Sequence, residues 1–235
     1  MRALLHGAVV AAALSLAPVA VVTTTAAPAH AATTVHTKTT FQSDVRKHGE
    51  YGGTFIVSGE VTTLDDPDGY GPLAGTAYLQ RLAPGSKSWK NVASDDSPGY
   101  AYFPNYDKYK GNAKFRIYYT GGTYDAGSSG ERNYPPSVSG VIKVKVTRKM
   151  TLKDVSKRQP TAIVKVSPKF GGKKILVQKK KGKKGWKTFR KVKTNKKGKA
   201  RISFKGSRKG TPYRVVAPGN KQFVATKNSF KAYTY

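Results

Sequence analysis

Between Pro168 and Arg208 the chain sets a lysine at nearly every second position and keeps Ile175, Val177, Trp186, Phe189, Val192, Ile202 and Phe204 between them. Side chains alternate across a strand with a period of two, so such a stretch fits a sheet with one apolar and one lysine-coated face. It is too basic for neutral scaffold and too regularly apolar for a disordered tail. Beyond the leader, no apolar repeat at helical spacing lasts three turns, and the predicted fold is all-β.

The rest follows the same recipe. Runs rich in β-branched and aromatic residues, such as Gly52–Thr63, Lys114–Tyr119, Ala162–Val166 and Lys174–Lys179, read as strands. LDDPDGYGP (Leu64–Pro72), SDDSPG (Ser94–Gly99), KKGKKG and TNKKGK read as turns.

Arg2, the Ala/Val/Leu run from Ala3 to Val22 and the small-residue pattern Ala29-His30-Ala31 together predict a secretory signal peptide over residues 1–31. A retained membrane anchor is the alternative, but His6 and Pro18 interrupt a run that a stable span would need to extend over about 20 strongly apolar residues. With no cysteine in the chain, disulfides, thiolate metal sites and a cysteine nucleophile are excluded.

Charge divides what remains. Residues 33–137 hold 11 Lys/Arg against 11 Asp/Glu, whereas residues 138–235 hold 31 against the single Asp154, net +30. A boundary near Pro135-Pro136 is therefore expected, giving domains over 32–137 and 138–235.

The halves also repeat one another. Gln80, Trp89, Gly99, Ala101 and Arg116 fall opposite Gln178, Trp186, Gly198, Ala200 and Arg214, at offsets of 98, 97, 99, 99 and 98. Upstream, GGTFIVSG aligns with PTAIVKV at an offset of 107, which implies a nine-residue insert at LDDPDGYGP. Short strands punctuated by turns, with one Trp in each middle strand, predict a two-sheet sandwich whose Trp fills the space between the sheets.

The pattern of a strand ending VQ, a turn, WK-x-V, a turn, then G-x-A and an aromatic-R-V run resembles the bacterial Ig-like repeat modules of exported and surface proteins. The resemblance covers both halves. It implies two tandem Ig-like β-sandwiches serving as spacers, adhesive units or accessory domains, with no catalytic residues to carry over.

Catalytic chemistry finds no foothold in the sequence. His36 and His48 lack any partner spacing typical of a metal pair or a triad, and both are expected to be solvated. Asp65, Asp66 and Asp68 before Gly69 form a weak calcium candidate without the full loop spacing, and Asp-Pro-Asp-Gly is also an ordinary turn. No cofactor is predicted. Tyr100, Tyr102, Tyr106, Tyr109, Tyr118, Tyr119 and Tyr124 read first as core and strand surface, with a sugar-stacking platform as the alternative.

The lysines carry the functional reading. The basic half has 25 Lys and 6 Arg, and lysine is a hydrated point charge suited to non-specific attraction rather than base reading. The candidate polyanion-binding residues are Lys179, Lys180, Lys181, Lys183 and Lys184 in one loop region, Lys187, Lys191 and Lys193 on the Trp186 strand, and Lys196, Lys197 and Lys199 in the next turn. Lys187, Lys191 and Lys193 are expected to share one outer surface. The predicted partners are anionic wall polymers, acidic polysaccharide or extracellular nucleic acid, and the predicted location is outside the cell at the envelope or matrix.

Overall fold

A computed structural model describes residues 32–66, 71–104, 106, 108–127, 130–182 and 185–234. The predicted signal peptide lies outside the described residues, as do Asp68, Lys183 and Lys184.

The described chain is built from strands. In order they are β1 (Thr33–Thr34), β2 (Thr37–Phe41), β3 (His48–Glu50), β4 (Ser58–Thr63), β5 (Ala77–Leu82), β6 (Lys90–Asp95), β7 (Ala101–Tyr102), β8 (Ala113–Tyr119), β9 (Gly122–Asp125), β10 (Glu131–Tyr134), β11 (Ser137–Val138) and β12 (Ile142–Thr147). Then come β13 (Lys149–Asp154), β14 (Thr161–Ser167), β15 (Lys174–Lys180), β16 (Trp186–Lys193), β17 (Lys199–Ser203), β18 (Thr211–Ala217) and β19 (Thr226–Ala232).

Two sandwiches of the same design result. In the first, the sheet β2-β4-β7 faces the sheet β3-β12-β8-β5-β6. In the second, β13-β14-β17 faces β16-β15-β18-β19. Three strands face five in the first module and four in the second, and β12-β8-β5-β6 matches β19-β18-β15-β16 in order, so both modules are Ig-like β-sandwiches.

The module edge differs from the charge edge. β12, the VIKVKV run that the charge step assigns to the basic half, pairs with β8 through Ile142 opposite Phe115 and Val144 opposite Ala113. Its inward Val144 and Val146 lie in the first core, so the first module runs to Thr147. The strand follows its apolar face, while its outward Lys143 and Lys145 merely resemble what comes next.

The upstream alignment also shifts. Gly59 lies opposite Ala101 and Val164 opposite Ala200, an offset of 105 rather than 107. The insert is therefore seven residues long, and a slip of two leaves every side chain on its own face.

Packing explains why the sheets close without disulfides. Phe55, Tyr106, Tyr109 and Phe115 contact one another in the first core, with ring centroids 4.8 to 6.0 Å apart. Gly49 lets β3 run beside Tyr109, since a Cβ there would lie 2.1 Å from the ring. In the second core Phe204 meets Tyr213 and Phe230 at 5.0 and 4.9 Å, over Ile175, Val177 and Ile202.

The two modules are tied together. The loop from Pro218 to Ala225 lies against the first module: Val224 N donates to Val146 O and Asn112 N donates to Gln222 O. Phe223 from this loop is buried within the first module's core.

Candidate functional site

Neither Trp fills a core, contrary to the sequence expectation. Trp89 and Trp186 are half-buried, each covered by an arginine at 4.5 and 4.7 Å, Arg116 and Arg214 respectively. Arg116 Nε donates to Gln80 Oε1 at 2.7 Å and Arg214 Nε donates to Gln178 Oε1 at 2.8 Å. Each glutamine then donates onward, to Asn91 Oδ1 and Thr188 Oγ1. The repeated landmarks are thus a Trp-Arg-Gln stack on the outside of the larger sheet.

A duplicated bulge sets that face. Register shifts occur between Leu79 and Gln80 and between Val177 and Gln178, leaving Val92 and Phe189 as the extra residues on β6 and β16. After the shift Trp186 lies opposite Lys180, which alternates with the buried Ile175 and Val177 across the bulge.

The same register sorts the candidate lysines. Lys174 lies opposite Lys193 and Leu176 opposite Lys191, so Lys174, Lys180, Lys191 and Lys193 share the outward face. Lys179 lies opposite Lys187 on the other face, and Lys187 therefore does not join Lys191 and Lys193. Lys181 follows at the β15–β16 turn. Lys196, Lys197 and Lys199 stand at the far end of β16, in a turn closed by Asn195, whose Oδ1 accepts from Lys197 N and Lys199 N. Gly198 holds that turn at φ +71°, where a Cβ would meet Val166 O at 2.4 Å. Eight strand residues separate the two loop groups, about 26 Å at ~3.3 Å each, so they are two ends of a ladder rather than one cluster.

Cations coat the other sheet as well. Lys165 lies opposite Lys199 and Ile163 opposite Arg201 on the outward side of β14 and β17. Every described lysine from Lys149 onward is exposed. The module's sole acid, Asp154, accepts from Ser156 N, and hydrogen bonding by the Ser156 side chain and then its backbone holds the carboxyl below the usual range. The two ion pairs seen among the described residues, His36 with Asp65 and Arg132 with Asp66, are both in the first module.

Those pairs bear on the calcium candidate. Asp65 accepts from His36 N and faces His36 Nδ1, each at 2.7 Å, and this bonding lowers its carboxyl pKa. Asp66 faces Arg132 at 3.2 Å. The two described carboxylates turn to different partners, and among the described residues no three His, Asp or Glu side chains gather as a metal site. His36 remains largely exposed but is paired rather than simply solvated, and His48 is exposed on β3.

The tyrosines separate. Tyr106, Tyr109 and Tyr119 are 4%, 4% and 0% exposed, while Tyr100 is 61% exposed and Tyr102 44%. Burial raises the Tyr106 and Tyr109 hydroxyls and pushes Tyr119 up to about 12, with Tyr134 adding to the shift. Three of the seven therefore build core.

No family model matches the chain, and no curated protein matches it. Among solved structures the chain is similar to a marsupial T cell receptor, with TM-score 0.32, 10% identity and coverage of 85% of this chain and 72% of that one. It is also similar to chicken CNTN1 FN1-FN3 domains (0.26, 15%, 79% and 67%). The human OSCAR ligand-binding domain matches at 0.27 and 13%, covering 84% and 97%. From its own strand order and register, the chain belongs among all-β proteins made of Ig-like sandwiches.

Proposed function

We propose that the chain is a secreted, non-enzymatic binding protein whose second module holds polyanions, in the manner of the bacterial Ig-like surface modules that its sequence resembles. The observation that carries this reading is the second module's surface, with exposed lysines on both outward faces and one acid. Lys174 opposite Lys193, Lys179 opposite Lys187 and Lys165 opposite Lys199 set like charges directly across strands, which costs stability. Edge protection accounts for lysines on β16. It does not account for Lys165, which lies on the central strand of the opposite sheet. An external anion offsets that repulsion at both places.

Polymers with repeating phosphate, sulfate or carboxylate fit such a surface, because many weak contacts add without a shaped pocket. The full chain, tested against double-stranded DNA, an acidic polysaccharide and a neutral glycan over a salt series, should bind both polyanions comparably, with log affinity falling linearly in log salt. The neutral glycan should not bind. Retention at about 1 M NaCl, where the Debye length is ~3 Å, would overturn the reading. Strong preference for DNA would point to a nucleic-acid binder, and retention on the neutral glycan to a carbohydrate module using Tyr100 and Tyr102.

A further inference from the structure

The two modules differ at one edge. In the first, the chain leaves β2, crosses over residues 42–47 and forms β3, which runs parallel to β12 with Lys145 opposite His48 and Thr147 opposite Glu50. That strand gives the β12 edge a partner. In the second, β13 turns back through Val155–Pro160 straight into β14, and no crossing strand is built. Among the described residues the edge of β19 is met at its two ends, where Thr147 bridges to Val224 and Ser207 to Tyr233.

A groove of about 810 Å³ opens there between β13 and β19. Leu152, Phe204 and Phe230 line it with apolar surface, and Lys157, Arg158 and Lys231 stand around it as cations against the one carboxylate of Asp154. Its backbone is also available. Ala232 O accepts from Ser207 N, so it points away from β18, and with a period of two the N–H and C=O groups of Phe230 and Asn228 do likewise. Across the groove Val155 N donates to Thr161 O, which turns the backbone of Asp154 and Leu152 away from β14.

We propose that this groove binds an extended segment of a partner protein, added as a strand along β19, with apolar side chains alternating with acidic ones. The first module shows the kind of element that seats on the corresponding strand. Alternation places every second side chain against Leu152 and Phe230 and turns the acids toward Lys157, Arg158 and Lys231. Ser207 already bonds Ala232 O and Thr234 N, so the open edge is the backbone of Asn228 and Phe230, which takes a strand of about four residues at ~3.3 Å each. The site is separate from the lysine ladder and does not depend on polymer binding.

Two labelled heptapeptides of one composition test it, with valine alternating with glutamate in one and the same residues in two blocks in the other. By fluorescence anisotropy with the full chain, the alternating peptide should bind at least tenfold tighter than its isomer, and the preference should survive in 1 M NaCl. Leu152→Asp and Asn228→Pro should each remove the preference. Methylating alternate amides of the peptide should do so without altering the protein, which covers the case of a variant that fails to fold. Lys191→Glu with Lys193→Glu should weaken DNA binding and leave the peptide preference unchanged. Equal binding of the two isomers, indifference to amide methylation, or loss of all preference in high salt would overturn the strand site. If instead DNA binding fails while the peptide preference holds, the polyanion reading falls and this one stands.

Discussion

The guanidinium of Arg148 lies 4.6 Å from the ring centre of Phe223, and the Phe170 ring stands 5.1 Å away from the same group. Arg148 is the one residue between β12 and β13, so the point where a tandem protein would bend is clamped by two aromatic rings of the second module. Phe223 also meets Tyr51 of the first at 5.9 Å. Truncating it removes contacts on both sides at once. Phe223→Ala should cost about 3 kcal/mol and split one urea transition into two. With one Trp in each module, single-Trp variants followed by fluorescence report each module separately; coincident transitions at unchanged midpoint would contradict the clamp.

Arg148 is buried, and burial lowers its pKa. Its Nε donates to Pro168 O and Nη1 to Pro218 O, so the planar fork serves two carbonyls while lying against two rings. A lysine cannot make that set of contacts. Arg148→Lys should lower stability by about 1–3 kcal/mol, measured by denaturant unfolding.

The Trp-Arg-Gln stacks are half-exposed, which limits their worth. Arg116→Ala and Arg214→Ala should each cost about 1 kcal/mol and shift the emission of only the Trp they cover. A Trp buried between the sheets would instead cost about 3–5 kcal/mol on removal to Ala. Trp186→Ala should stay well below that.

Burial pushes the Tyr119 hydroxyl up to about 12. Its folded value lies above the unfolded value near 10, so its contribution is complete below pH ~10 and is lost as pH rises toward 12. Thermal unfolding between these limits should show the wild type losing stability faster than Tyr119→Phe. Lysine deprotonation in the same window relieves repulsion equally in both proteins, so the difference between them isolates the tyrosine. Parallel curves would exclude the effect.

Both outward faces of the second module should count in polyanion binding. Lys165→Gln with Lys199→Gln, and separately Lys191→Gln with Lys193→Gln, should each lower the magnitude of the salt slope for DNA by up to about 2. A change in only one pair would mean that a single face makes the contact.

Much of this was legible in the alternation of residues. All-β content, the duplication and the sandwich follow from apolar period and landmark spacing, because strands of fixed offset carry the Gln, Trp and Arg positions. The face of each Trp was not legible. It depends on one extra residue, Val92 or Phe189, whose bulge is defined only once the partner strand is in place. The same bulge moved Lys187 away from Lys191. The module boundary was hidden for another reason: Lys143 and Lys145 read as part of the basic half, while Val144 and Val146 between them belong to the first core. The groove beside β19 left its trace in length alone, since six residues join β13 to β14 where sixteen join β2 to β4.

The lysines of β16 carry a consequence for crowding. That strand is the last in its sheet, and two copies meeting there would bring ammonium groups together at strand spacing of about 4.8 Å. Molecules gathered densely along one polymer would hold each other apart at this seam, remaining individual beads and not fusing into fibrils.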